Sequence, residues 1–90
     1  MERWLLNKES LKSIIKINLS QQGIDCKNFK DSLILKNDLK ITKYNLLYLI
    51  NSMRHIYKIN ISTDEVLKLK NVGALVDYFY SLIKEEQNYE

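Results

Sequence analysis

The chain has 90 residues, of which about a third are Leu, Ile, Val or Phe, and a formal net charge of +3. The length allows one small domain, residues 1–90, and the apolar share argues against an intrinsically disordered chain. Proline is absent and glycine occurs only at Gly23 and Gly73, so the residues that form the tight turns of an all-β protein are missing. Composition therefore predicts a compact all-α domain.

The first predicted helix, helix I, spans about residues 8–22, where apolar residues recur at helical spacing after Asn7 as the expected N-cap. A glycine ends it, as a left-handed residue after a helix would. The connection that follows covers residues 23–41. A loop of this length in so small a domain is expected to pack on the core through its own apolar residues, and Phe29 and Leu35 are the candidates.

Three further helices are predicted after this loop. Helix II spans about residues 43–58 with Thr42 as its N-cap, and short helix III spans about residues 63–68 after a serine–glutamate capping box. Helix IV spans about residues 72–86, with Asn71 as its N-cap. The apolar faces of helices II and IV are Leu46, Leu49, Ile50, Met53 and Tyr57, and Val72, Leu75, Val76, Phe79 and Ile83.

The chain lacks the residues that several classes of function require. The only cysteine, Cys26, and the only histidine, His55, are far apart, so we expect neither an internal disulfide nor a metal site. No nucleophile, base and orienting group converge, so we expect no catalytic residue and no enzyme activity. No apolar run is long enough for a membrane span and the N-terminus does not read as a signal peptide, so we expect a cytoplasmic protein without a membrane partner.

Three segments share a pattern with one protein family. Asp38-Leu39 precedes helix II, Tyr57-Lys58-Ile59-Asn60-Ile61 ends it, and residues 69–78 lead into helix IV. They resemble the Asp-Leu-Gly segment, the Phe-Gly-Ile-x-Ile ending and the Thr-Val-x-x-Leu-Val-Asp-Tyr signature of acyl carrier proteins, in a match over about residues 11–83. The resemblance implies an acyl-carrier-like bundle of three main helices plus a short helix III, with a long packed loop between helices I and II.

The segment at which carrier proteins are modified is changed in this chain. In the register of the resemblance, Thr42, Lys43 and Tyr44 stand where the family has Asp-Ser-Leu, and Lys40 stands where it has the preceding glycine. The family's serine hydroxyl receives the 4′-phosphopantetheine arm, and a lysine amine cannot form that phosphodiester. We therefore expect no cofactor and no cofactor-binding residue.

Other serines keep a working carrier open as an alternative. Ser52 falls in the middle of helix II and Ser62 lies beyond it, whereas Asp31-Ser32-Leu33 is a literal Asp-Ser-Leu triplet in the long loop. A modification in that triplet would lie on a segment needed for packing. Under this alternative, Ser32 is the first residue to test for a phosphopantetheine arm.

Helix II also lacks the acidic side chains with which carrier proteins dock on basic patches of their enzymes. The matching positions hold Asn45, Tyr48, Arg54 and His55, and residues 36–58 contain five basic residues and one acid. Like charges that meet across an interface are strongly unfavourable, so we expect this face to be repelled by the docking patches that ordinary carriers use.

We expect a protein partner on the exposed side of helix II, where Tyr44, Leu47 and Tyr48 would form an apolar patch with a basic rim. In the competing interpretation, the tyrosine rings pack sideways on the bundle and Lys43 is an ordinary solvated residue. Trp4 also has two interpretations: it either docks the N-terminus on the bundle or contacts a partner. The predicted partner-binding residues are Lys43, Tyr44, Leu47, Tyr48, Asn51, Arg54 and His55.

These observations predict a non-catalytic protein-interaction module without the arm, which the resemblance places in a lipid, polyketide or peptide-assembly pathway. A working carrier protein modified at another serine is the first alternative. A small basic nucleic-acid-binding domain is the second, supported by a pI of about 9.0. No helix has a dense Lys/Arg face, however, so we do not expect nucleic acid as the partner.

Overall fold

The computed structural model describes residues 7–87, with side chains to residue 85. The helices in this range are α1 at Lys8–Gln21, α2 at Lys43–Tyr57, α3 at Thr63–Leu67 and α4 at Val72–Gln87. The all-α prediction is confirmed, and each predicted helix is present with a C-terminal end that differs by one residue. Trp4 lies outside the described residues, so neither expectation for it is tested.

Side-chain caps fix where the helices begin. Asn7 Oδ1 at α1 and Asn71 Oδ1 at α4 each accept a bond of 2.8 Å from the backbone N–H three residues further on, as predicted for both N-caps. At α3, Ser62 Oγ accepts a bond from Glu65 N at 3.3 Å, which is one half of the predicted capping box. Each cap satisfies an N–H that has no acceptor inside its own helix.

Gly23 ends α1 in a Schellman motif. Its φ is +94°, Gly23 N donates to Ser20 O at 3.0 Å, and Ile24 N donates to Leu19 O at 3.0 Å. This left-handed conformation favours glycine, because a Cβ would crowd the backbone. The predicted glycine stop is therefore confirmed.

The core forms where α1 packs against both α2 and α4, and where α2 packs against α3. Phe79 on α4 is the largest side chain with no exposure, and Val66 anchors the short α3 in the core. Ile14 on α1 and Tyr57 on α2 are half-buried at its edge. Burying one such apolar side chain contributes roughly 1.5–3 kcal/mol to folding. The buried helical residues are Leu11, Ile15, Leu19, Leu46, Leu49, Ile50, Met53, Val66, Val72, Leu75, Val76, Phe79 and Ile83.

The connection between α1 and α2 is held by backbone pairing as well as by apolar side chains. Leu35 N donates to Lys70 O at 2.9 Å, and Val72 N donates to Leu33 O at 3.0 Å, which joins the connection to the segment between α3 and α4. Leu35 is buried, as predicted. Phe29, which precedes the paired segment, is only half-buried. The buried residues of the connection are Cys26, Leu35, Leu39 and Ile41.

Candidate functional site

One face of α2 is exposed along the length of the helix. At about 100° per residue, Tyr44, Tyr48, Asn51 and His55 fall within about 60° of one another, opposite the buried residues of α2. All four are exposed, and Tyr44 and Tyr48 are 77% and 56% exposed. Both tyrosine side chains are therefore mostly exposed to solvent. We call these four residues the tyrosine face.

The other three predicted partner-binding residues lie on the flank of α2 that faces α3. Lys43 is the first residue of α2 and is exposed, whereas Leu47 is half-buried against the core. The Arg54 guanidinium donates from Nη2 to Ile61 O at 2.8 Å, which ties α2 to the segment before α3. The seven residues thus form an exposed face and one adjoining flank, on which Leu47 contributes to packing and Arg54 holds a backbone carbonyl.

The opposite flank of α2 is bonded to α1 by polar side chains. Asn18 Nδ2 donates to Ser52 Oγ at 3.0 Å, and Asn45 Nδ2 donates to Gln22 Oε1 at 2.8 Å. Gln22 Nε2 in turn donates to Asn45 O at 3.1 Å. These bonds fix the rotation of α2 against α1, and that rotation directs the tyrosine face to solvent.

Two exposed isoleucines that were not predicted from the sequence adjoin the tyrosine face. Ile17 on α1 and Ile56 on α2 are 56% and 52% exposed, and with Tyr48 they border a shallow groove of about 260 Å³. Ile17 lies off the buried stripe of α1, which is the signal that could have indicated it, whereas Ile56 follows the buried Leu49 by seven residues and so lies on the same side of α2. Contiguous exposed apolar side chains of this kind are typical of contact surfaces.

The three candidate serines differ in what their hydroxyls contact. Ser52 Oγ accepts the bond from α1, and Ser62 Oγ caps α3. Ser32 is exposed in a turn of the connection, and no hydrogen bond to its hydroxyl occurs among residues 7–85, whose side chains are described. Its neighbours are held in place, because Asp31 pairs with Lys12 at 2.9 Å and Leu33 O accepts the bond from α4.

The described part of the chain contains neither a metal-binding cluster nor a helix that could span a membrane. Among residues 7–85, whose side chains are described, no three His, Cys, Asp or Glu side chains come together to hold a metal ion. Cys26 is buried in the core, and His55 belongs to the tyrosine face. None of the helices described combines the length and the apolar character needed to cross a bilayer.

Comparison of the chain with protein-family models, with curated proteins and with solved structures finds no match. The relationship to acyl carrier proteins therefore remains a hypothesis that rests on the sequence motifs.

Proposed function

We propose that this chain is an acyl-carrier-like domain that lacks the phosphopantetheine arm and acts as a non-catalytic protein-interaction module. Its contact surface is the tyrosine face of α2, with Lys43 and Arg54 on the adjoining flank. The resemblance to carrier proteins suggests that the partner belongs to a lipid, polyketide or peptide-assembly pathway.

The observation that carries the proposal is the exposure of Tyr44 and Tyr48 one turn apart on α2, at 77% and 56%. A tyrosine combines a large apolar ring with a hydroxyl and loses little conformational freedom on binding, so exposed tyrosines are common anchors in interfaces. Ile17 and Ile56 extend the apolar surface towards α1. The combined patch offers a partner more buried apolar area than scattered single side chains would.

The charge around the tyrosine face indicates the kind of partner. No acidic residue occurs in α2, while Arg54 and His55 lie in its last turn and Lys43 in its first. A complementary surface would therefore have an apolar centre and an acidic rim. Such a surface is opposite in charge to the basic patches on which ordinary carrier proteins dock.

Backbone geometry before α2 supports the register that puts Lys43 in the place of the modified serine. Lys40 has a φ of +58°, in the left-handed region that favours glycine, and the family motif has a glycine at this position. Lys43 then begins α2 directly after its N-cap, Thr42. An arm attached at position 43 would need a hydroxyl, which the Lys43 side chain does not have.

A working carrier protein remains the second candidate, because Ser32 has an exposed hydroxyl in a literal Asp-Ser-Leu triplet. The observation favours Ser32 over Ser52 and Ser62, whose hydroxyls already accept hydrogen bonds. An arm on Ser32 would leave from the α1–α2 connection and not from the N-terminus of α2.

Site-specific photo-crosslinking in the native cell tests the contact surface. A benzophenone amino acid at Tyr48 should give a discrete crosslinked species, whereas the same group at Ser81, an exposed residue of α4, should not. With the crosslinker moved to Asn51, the changes Tyr44→Ser and Tyr48→Ser together should reduce the product. Equal products from positions 48 and 81, or an Asn51 product indifferent to both tyrosines, would refute the proposed surface.

A further inference from the structure

A groove of about 990 Å³ lies between the N-terminal end of α2, the α1–α2 connection and the end of α3. Binding sites for ligands commonly have volumes of about 300–1,000 Å³. Its apolar lining includes the buried side chains of Leu35, Ile41 and Leu46. The groove is separate from the tyrosine face, although Lys43 borders both.

Five exposed lysines line this groove, and no acidic residue does; we call it the lysine groove. The N-terminal end of α2 adds partial positive charge, because the first N–H groups of a helix have no acceptors within it. The groove therefore combines an apolar floor with a strongly positive rim. The five residues are Lys36, Lys40, Lys43, Lys68 and Lys70.

Lys40 occupies its place in the rim despite an unfavourable backbone conformation. Its φ of +58° is one that glycine adopts without strain and lysine does not. Among the residues that the structure describes, the only side-chain bond of Lys40 is a 3.3 Å contact from Nζ to Asn37 O at the surface. Because an ammonium group has three N–H donors, Lys40 Nζ can also pair with a carboxylate of a ligand.

We propose that the lysine groove binds an acidic peptide segment of a protein partner. An apolar side chain of the segment would lie on the floor, and its carboxylates would pair with the lysines. This inference rests on the proposed function for the existence of a protein partner, and it names the chemistry of that partner at a second surface.

The test is a selection of random displayed peptides on the whole chain, followed by fluorescence anisotropy with the selected peptides. Lys40→Gly and Lys58→Gly form a matched pair: both lysines are exposed, both have φ near +57°, and only Lys40 lines the groove. The selected peptides should interleave Asp or Glu with large apolar residues. Lys40→Gly should weaken their binding roughly twofold to fivefold, as expected for one exposed ion pair, and Lys58→Gly should leave it unchanged.

Peptides without acidic residues, or equal effects of the two variants, would overturn the inference. So would a single-stranded oligothymidylate that binds more tightly than the peptides and loses affinity in Lys40→Gly, since the groove would then suit nucleic acid. Crosslinking from Tyr48 is read independently. If the peptide test fails and Tyr48 still gives a crosslink, only the inference about the lysine groove is refuted. If the peptides bind as expected and Tyr48 gives no crosslink, the proposed contact surface on α2 is refuted and peptide binding by the groove is retained.

Discussion

Thr42 and Asn45 cap each other at the start of α2. Asn45 N donates to Thr42 Oγ1 at 3.2 Å, while Thr42 N donates to Asn45 Oδ1 at 2.9 Å. The same Asn45 side chain donates to Gln22, the C-cap residue of α1. The cap that begins the helix is thereby joined to the contact that sets its rotation, so the position of the tyrosine face depends on both.

Removing the Thr42 hydroxyl should destabilise the domain. Thr42→Ala leaves the Asn45 N–H without its acceptor, and we expect the free energy of unfolding to fall by about 1 kcal/mol, within the usual range for an N-cap. Thr42→Ser retains the hydroxyl and is the control, expected to remain close to the wild type. Urea denaturation followed by circular dichroism measures both, and an unchanged midpoint in Thr42→Ala would contradict the prediction.

Truncating an exposed and a buried aromatic residue should have very different effects on stability. Tyr48 is 56% exposed and Phe79 is fully buried. Tyr48→Ala should change the free energy of unfolding by no more than about 0.5–1 kcal/mol, as expected for a surface substitution. Phe79→Ala should cost roughly 3–5 kcal/mol because it leaves a cavity. A large loss of stability in Tyr48→Ala would show that the ring serves packing and not contact with a partner.

Replacing Lys40 or Lys58 by glycine should increase the stability of the domain. Both have left-handed backbone conformations, at φ +58° and +57°, which penalise a side chain. Since glycine gains flexibility in the unfolded chain, we expect a net increase of only about 0.5–1 kcal/mol in the free energy of unfolding. Thermal and urea denaturation give the values. Destabilisation by either change would argue against the left-handed conformation at that position.

Alkaline pH should weaken the fold through Tyr57. Burial raises the pKa of Tyr57 above its usual value of 10.0, so the unfolded chain loses this phenolic proton at a lower pH than the folded one. The stability that the neutral phenol contributes is complete below the unfolded-state pKa and is lost as the pH rises through the folded-state pKa. Tyr57→Phe should therefore lose less stability above pH 10 than the wild type does.

Tyr44→Phe is the matched control for this pH dependence, because Tyr44 is 77% exposed and the change again removes one phenol. The control should lose stability with pH as steeply as the wild type. If stability falls equally steeply with pH in Tyr57→Phe and Tyr44→Phe, burial of Tyr57 does not contribute to the loss of stability at alkaline pH.

The helices were predictable because their signals are local. An apolar stripe, an N-cap such as Asn7 or Asn71, and the glycine stop at Gly23 each act within a few residues, and the structure places them as predicted. The exposure of Tyr44 and Tyr48 also follows from the helical period, because both lie opposite the buried stripe. Local pattern therefore indicated the fold class and most of the candidate face.

The remaining features depend on contacts between segments that are distant in the sequence. Ile17 and Ile56 border the same groove only because polar bonds fix the rotation of α1 against α2. The lysine groove needs three segments to converge, and nothing local in the sequence signals that. The left-handed conformation of Lys40 was also not predictable, because lysine is not a residue that marks a positive φ.

The absence of a phosphopantetheine arm distinguishes an interaction module from a carrier of acyl groups. The most direct measurement is the intact mass of the chain after co-expression with a broad-specificity phosphopantetheinyl transferase, alongside a Ser32→Ala variant. We expect both masses to equal those of the unmodified chains while the protein is folded and helical. A gain of one phosphopantetheine in the wild type would contradict it, and loss of that gain in Ser32→Ala would identify the modified residue.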